Sequence, residues 1–321
     1  MKFMKKEIII KLNKISIIVF MLVVFLALLS FFQYFHVYYP KERFEYYNKI
    51  KATCLSSKGN SSICSAFNNE NEVNEYLHNN NPYDDLKKLD AITLTGEILR
   101  NTIFIIIQPL SALLIIIAVI GRNHKELKSG MIRNILIRKE YKKYILEKIK
   151  SVALISLIMP LILIIIFIIS CIITKFNFTP NIEKIKNTYV YFEWKYDNYI
   201  LYSFIVCLVQ YLLSFSYGVI GLISCFKNKS TIVSIIISYI SAIILSLFVY
   251  IVIGVFILNN IFHIDAAVDL NILGSWYFYE NTNYFIVICN AFFIFLSLLS
   301  YFLISTKNKE RLVLENEKQV V

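Results

Sequence analysis

The sequence predicts an all-α integral membrane protein of six transmembrane helices, with an outer loop of about 65 residues after the first and a basic inner loop after the second. Three observations carry that prediction. Hydrophobic residues fill 57% of the 321 positions and charged residues only 17%, an apolar excess over an ordinary water-soluble domain. The apolar residues fall in runs of about twenty or more with neither helical nor strand alternation, as expected of helices surrounded by lipid. The basic residues, finally, concentrate in alternate connections between the runs.

The six runs are 15–35, 101–120, 151–174, 200–224, 231–262 and 284–305, and at 1.5 Å per residue each reaches across about 30 Å of hydrocarbon. The first follows Lys5, Lys6, Lys11 and Lys14, as a secretory signal would. Its apolar run is too long for such a signal, however, and it ends in Phe31, Phe32, Gln33, Tyr34 and Phe35 without the small residues a signal peptidase needs, so it is expected to stay as an anchor. Pro109 in the second run and Pro160 in the third each remove a backbone hydrogen bond and are expected to kink their helices. In the fifth, Ser234, Ser238 and Ser241, with Ser246, are expected along one helix face, where small residues permit close packing.

Orientation follows from the basic residues. With the N-terminus inside, the inner segments 1–14, 121–150, 225–230 and 306–321 carry five, ten, two and four Lys or Arg, while the outer segments 36–100, 175–199 and 263–283 carry eight, four and none. That split of 21 to 12 puts both termini in the cytoplasm. The outside is then net −3 and the inside net +14, and together they give the overall formal charge of +11. A basic chain could suggest nucleic acid, but charge sorted by membrane side is accounted for by anionic lipid, so no nucleic-acid partner is expected. The heavy use of Ile, Lys and Asn points to an AT-rich bacterial genome, and hence to the bacterial plasma membrane.

The outer segment 36–100 is polar, Asn-rich and nearly neutral, and too long for a simple turn. It contains Cys54 and Cys64, separated by a turn-like stretch with Ser56, Ser57, Gly59 and Asn60; in an oxidising exterior the two would close a small disulfide loop, and otherwise they are two free thiols. Cys171, Cys207, Cys225 and Cys289 lie within or at the ends of runs, lack metal-ligand spacing and read as small apolar fillers. In 263–283, His263, Asp265 and Asp269 precede Trp276, Tyr277, Phe278 and Tyr279, an aromatic cluster suited to the membrane interface. A His with two Asp nearby could bind a metal, although a solvated loop accounts for them equally and no metal site is assigned.

The inner loop 121–150 places Ile132, Ile135, Leu136, Tyr144, Ile145 and Ile149 at helical spacing among charges, a pattern for two short amphipathic helices. Such a basic face could simply lie against anionic headgroups. Glu126, Gly130, Leu136 and Lys148, however, fall in the order and spacing of the cytoplasmic loop in ABC-2 type transporter permeases, which the chain resembles: an acidic residue, a Gly four later, a Leu six beyond it, basic residues, and a Lys leading into the third span. Six spans, both ends inside, a large outer loop after the first span and an extended outer segment before the sixth also match that family. The chain departs from the pattern at Met131, usually Thr, and lacks the Pro that commonly follows the Leu.

The resemblance implies that 121–150 is a coupling loop docking into a separate ATPase subunit, with Ile132, Ile135 and Leu136 as apolar anchors, Arg133, Arg138, Lys142 and Lys143 as steering charges, and Gly130 as a turn at the helix boundary. It further implies that 1–14 is an interfacial segment, that 263–283 is extracellular or re-entrant, that a second permease copy completes the transporter, and that ATP and Mg are bound by the partner rather than by this chain. Gln108 and Gln210 are the polar residues placed to line a translocation path, although helix association accounts for each of them too.

None of the six runs contains Asp, Glu, Lys, Arg or His, so an ion-coupled carrier or an intramembrane hydrolase lacks the groups it would need at membrane depth. GxxxxGK[ST], HExxH and GxSxG are likewise missing, so no catalytic residue is assigned and ATP hydrolysis is expected in another polypeptide. The expected function is the permease subunit of an ATP-driven exporter. The rival from another class is a non-transporting membrane receptor or immunity protein whose outer loop binds a ligand.

Overall fold

A computed structural model describes residues 14–54, 70–79, 90–128, 131–138, 140–178, 198–228, 230–264, 270 and 284–307. Among these residues the chain is helical nearly throughout and contains no strand. Five helical stretches are long and apolar enough to cross a membrane: Ser16–His36, Tyr141–Ile173, Tyr199–Lys227, Thr231–Ile261 and Phe285–Ser305. Backbone groups in hydrocarbon must bond within their own segment, which is why apolar runs of this length fold as helices.

The elements follow in chain order. Helix α1 is Lys14–Gln33, followed by a π-turn at Tyr34–Tyr38, and α2 is Tyr39–Cys54. Then come α3, Glu70–Asn79, and α4, Ala91–Arg100. The long helix α5 is Thr102–Lys128, and the short α6 is Met131–Arg138. Helices α7, Tyr141–Ser156, and α8, Ile158–Ile173, are separated only by Leu157. Pro160 explains that break, because its ring excludes the carbonyl four residues earlier, that of Ser156, the last residue of α7. Helix α9 is Tyr199–Lys227, α10 is Thr231–Phe248 continued by a π-helical stretch Val249–Ile261, and α11 is Tyr284–Ser305.

The chain divides into two compact units. The first comprises Met1–Phe25, Ile105–Ile164 and Phe192–Val321, and α9 is its axis, packed by α7, α10 and α11. The most apolar window of α9 is 78% buried, against 22% for the windows of Thr231–Ile261 and Phe285–Ser305, so α9 is the enclosed helix and the other two present broad apolar faces outward. Gly218 allows this closeness: a Cβ there would stand 2.5 Å from Val152 Cγ1 and 3.4 Å from Val119 Cγ2.

Ser234, Ser238 and Ser246, with Ala242, are the buried stripe of α10. Ser241 is exposed, because the stripe advances four residues at a time and position 242 occupies the place the sequence reading gave to 241.

The second unit comprises Leu26–Phe104 and Ile165–Tyr191. The outer segment expected as a loop is helical over Tyr39–Cys54, Glu70–Asn79 and Ala91–Arg100. Ile50 of α2 meets Val73 and Leu77 of α3 in a small core edged by Tyr47, Cys54 and Tyr76. Val73 and Leu77 are one turn apart on an otherwise polar helix, so this single stripe is what α3 has to bury. Burial, reinforced by the Tyr46 hydroxyl, raises the Tyr76 phenol above its ordinary pKa. Asp90 caps α4, accepting from Thr93 N at 2.8 Å and Thr93 Oγ1 at 2.5 Å.

The second apolar run differs from expectation. Asn101, with φ −62° and ψ 147°, stands between α4 and α5, and Pro109 interrupts the donor ladder of α5. The apolar helix counted there is Pro109–Gly121, shorter than the five spans. The helices extend beyond the apolar runs: the helical stretch that carries the third run begins at Tyr141, and α5 continues to Lys128, so that much of 121–150, expected as two short amphipathic helices, is helical.

Candidate functional site

The segment expected as the inner loop is built from the end of α5, all of α6 and the start of α7. On α7, Tyr144, Ile145, Lys148, Ser151, Val152 and Ile155 are buried, a stripe at three- and four-residue steps. Lys142, Lys143, Leu146, Glu147 and Lys150 fall on the opposite, exposed face. The periodicity therefore turns one basic residue of this segment, Lys148, into the helix bundle, where its side chain keeps 7% of its surface.

A buried ammonium requires an opposite charge. Lys148 Nζ is ion-paired with Glu126 Oε2, at the far end of α5, and stands 5.1 Å above the ring of Tyr144. Glu126 retains 24% exposure, so the pair sits at the edge of the bundle with the lysine on its inner side. Two residues that the family resemblance singled out, one on each side of α6, are thus brought together.

Around this pair a set of hydrogen bonds ties together the ends of five helices of the first unit. His124 Nδ1 and Thr231 Oγ1 are 2.9 Å apart, joining α5 to α10. The Tyr141 hydroxyl donates to the Thr306 carbonyl, joining α7 to the end of α11. Ser224 Oγ donates to the Ser234 carbonyl at 2.9 Å, and Asn228 Nδ2 donates to Ser224 Oγ at 2.9 Å, closing the turn between α9 and α10. Lys227 Nζ donates to Tyr301 Oη at 2.9 Å, fastening α9 to α11. Polar side chains at the ends of apolar helices were visible in the sequence, but nothing in their spacing showed that His124, Tyr141 and Thr231 would meet partners from distant segments.

Helix α6 lies between the two partners of the ion pair. Ile135 and Leu136 are half-buried, Arg138 is exposed, and Ile137, a residue the sequence reading passed over, is 78% exposed. Lys142 and Lys143 face solvent, and Lys143 makes a surface pair with Glu140 at 3.5 Å, a contact worth little to stability. Gly130 and the side chains of Ile132 and Arg133 lie outside the described residues. The loop thus presents an exposed apolar side chain beside exposed cations, on a base held by a buried ion pair.

The remaining candidates fall elsewhere. Gln210 is 2% exposed within α9, while Gln108 belongs to α5 with its side chain outside the described residues. Cys54 is disulfide-bonded, Cys171, Cys207, Cys225 and Cys289 carry free thiols, and Cys64 lies outside the described residues. His263 closes the π-helical stretch with φ 56°, while Asp265, Asp269 and residues 271–283 lie outside the described residues. The interfacial segment 1–13 does so too. Among the described residues no group of three His, Cys, Asp or Glu side chains is placed to hold a metal.

No family model, curated protein or solved structure matches this chain.

Proposed function

We propose that the chain is the permease subunit of an ABC transporter of the ABC-2 type, an exporter driven by separate ATPase subunits. The observation that carries the reading is the Glu126–Lys148 pair. A loop that only lay on lipid headgroups would keep its cations at the surface, where each gains from the anionic membrane. Here one lysine is withdrawn to join the two ends of the loop, which gives α6 a fixed base, and a fixed base is what transmitting force from a partner requires.

In this reading the apolar part of α5 is the second span and brings the total to six, both termini lie in the cytoplasm of a bacterial cell, and the outer segment 36–100 faces the exterior. A second copy of the chain completes the translocation path. ATP and Mg bind the partner, and this chain performs no catalysis. Ile137 with Leu136 is the apolar anchor, and Arg138, Lys142 and Lys143 guide the approach.

The rival reading, a membrane receptor or immunity protein, is favoured by one observation: α2 and α3 bury Ile50, Val73 and Leu77 as a small core of their own. Co-purification of the ATPase encoded nearest this chain separates the two. With coupling, Ile137→Glu abolishes recovery of the ATPase at any salt, whereas Lys142→Ala lowers it modestly at low salt and not at high salt, where the charge is already screened. Full recovery with Ile137→Glu, in a correctly inserted protein, would remove the coupling reading and leave the receptor.

A further inference from the structure

Two lysines of the first unit are held in place by different means. Lys148 is neutralised by the Glu126 carboxylate, whereas Lys227, the last residue of α9, is fixed by a phenol. Its ammonium donates to Tyr301 Oη at 2.9 Å and stands 5.3 Å from the centre of that ring. No carboxylate pairs with Lys227 among the described residues. A hydroxyl accepts the hydrogen bond without cancelling the charge, so a positive charge is left where the ends of α9 and α11 come together.

The surroundings place that charge at the edge of the hydrocarbon. Tyr301 lies about one turn before α11 stops at Ser305 and is 48% exposed, and Leu303 and Ile304 beside it are 47% and 72% exposed. Phe226 of α9 stacks on Phe302 of α11 with ring centroids 6.0 Å apart, which fixes the two helix ends against each other. Lys and Tyr, with apolar stems and polar tips, suit the boundary between acyl chains and water. Both polar groups have donors to spare. Lys227 keeps two N–H groups beyond the one used on Tyr301, and the Tyr301 hydroxyl, while accepting from the lysine, keeps its own hydrogen. Water answers these donors but not the charge. A soluble anion answers the charge but covers none of the apolar surface of Leu303 and Ile304. The phosphate of a lipid headgroup answers both: several oxygens on one anionic centre for the two donors, and acyl chains for the exposed side of α11.

We infer that Lys227 and Tyr301 form a binding site for the phosphate of an anionic phospholipid, in the leaflet at this end of α9 and α11, which is the inner leaflet in the orientation proposed above. The headgroup supplies the negative charge that the phenol does not, and it joins α9 to α11 through a second pair of hydrogen bonds.

Thermal unfolding of the full chain in neutral detergent, titrated with phosphatidylglycerol, tests the site. The lipid should raise the melting temperature to a plateau. The concentration giving half the rise should increase about tenfold in Lys227→Gln, which loses the charge with its hydrogen bond, and about threefold in Tyr301→Phe, which loses one hydrogen bond. Lys150→Gln removes a lysine exposed on α7 and controls for general attraction to negative charge; it should change the half-point by less than about twofold. Equal changes in Lys150→Gln and Lys227→Gln overturn the site, as does an equal rise with phosphatidylcholine or with inorganic phosphate in place of phosphatidylglycerol. Each half-point is read from the variant's own lipid-free melting temperature, so a change in intrinsic stability does not enter. Should Lys227→Gln fail to fold, Tyr301→Phe, which keeps the ring, decides by the same comparison with Lys150→Gln. No ATPase takes part, so the result is independent of the permease reading.

Discussion

Lys148 and Glu126, 22 positions apart in the chain, meet as an ion pair whose lysine side chain is 7% exposed and whose glutamate is 24% exposed. The asymmetry matters. Removing the glutamate takes the carboxylate from an ammonium held inside the bundle, whereas removing the lysine leaves a carboxylate that still reaches some water.

Breaking the pair should therefore be costlier from one side. Glu126→Gln is expected to lower stability by about 3–5 kcal/mol, the range for removing one partner of a buried ion pair, and Lys148→Met by less. Thermal unfolding in detergent measures both. The doubly exchanged protein, Glu126→Lys with Lys148→Glu, should recover part of the loss, and a loss equal to the sum of the single changes would mean that the two side chains do not interact.

The close approach at Gly218 gives a second test. An added Cβ would meet Val152 Cγ1 at 2.5 Å, while at Gly221 the nearest atom, Ile120 Cγ1, is at 3.6 Å. Gly218→Ala is expected to cost about 1–3 kcal/mol as overpacking, and Gly221→Ala little. Pairing Gly218→Ala with Val152→Ala should return some of the stability. Equal melting temperatures for the two single variants would show that α7 and α9 are not packed this closely.

On α10 the buried and exposed serines should respond differently to the same change. Ser238→Leu forces a large side chain against α9 and is expected to cost about 1–3 kcal/mol. Ser241→Leu puts the same side chain on the exposed face and should leave stability within about 0.5 kcal/mol. A thermal melt that ranked them in the opposite order would reverse the face assigned to α10.

Compartment can be read from α3 and Cys54. A cysteine introduced at the exposed Asn74 should react with a membrane-impermeant maleimide on intact cells, and one at Asn134 should react only after lysis. Peptide mapping without reduction should recover Cys54 joined to Cys64. Reduction should then raise amide exchange in α2 and α3, whose shared core among the described residues is Ile50, Val73 and Leu77 with its edging side chains. The reverse labelling pattern would invert the topology.

The sequence alone determined the membrane-helical class and nearly every long helix, because a run of some twenty apolar residues has one economical state in lipid and needs no knowledge of its neighbours. The last helix, Tyr284–Ser305, has the boundaries read from the sequence, and the fourth and fifth differ by a few residues. Pro160 was legible as a break for the same reason: its effect is covalent and local.

What lay between the runs was legible only in part: short helices were expected in 121–150, but not how they pack. Residues 36–100 read as an outer loop because polar composition hides a stripe as sparse as Val73 and Leu77, which has meaning only when Ile50 lies opposite. Ile137 was passed over, and Lys148, although singled out by the family resemblance, was not read as buried, because the face a side chain occupies depends on where its helix is seated. That Glu126 would close on Lys148 depended on α5 and α7 both packing against α9, and long-range packing of this kind is decided by tertiary structure alone.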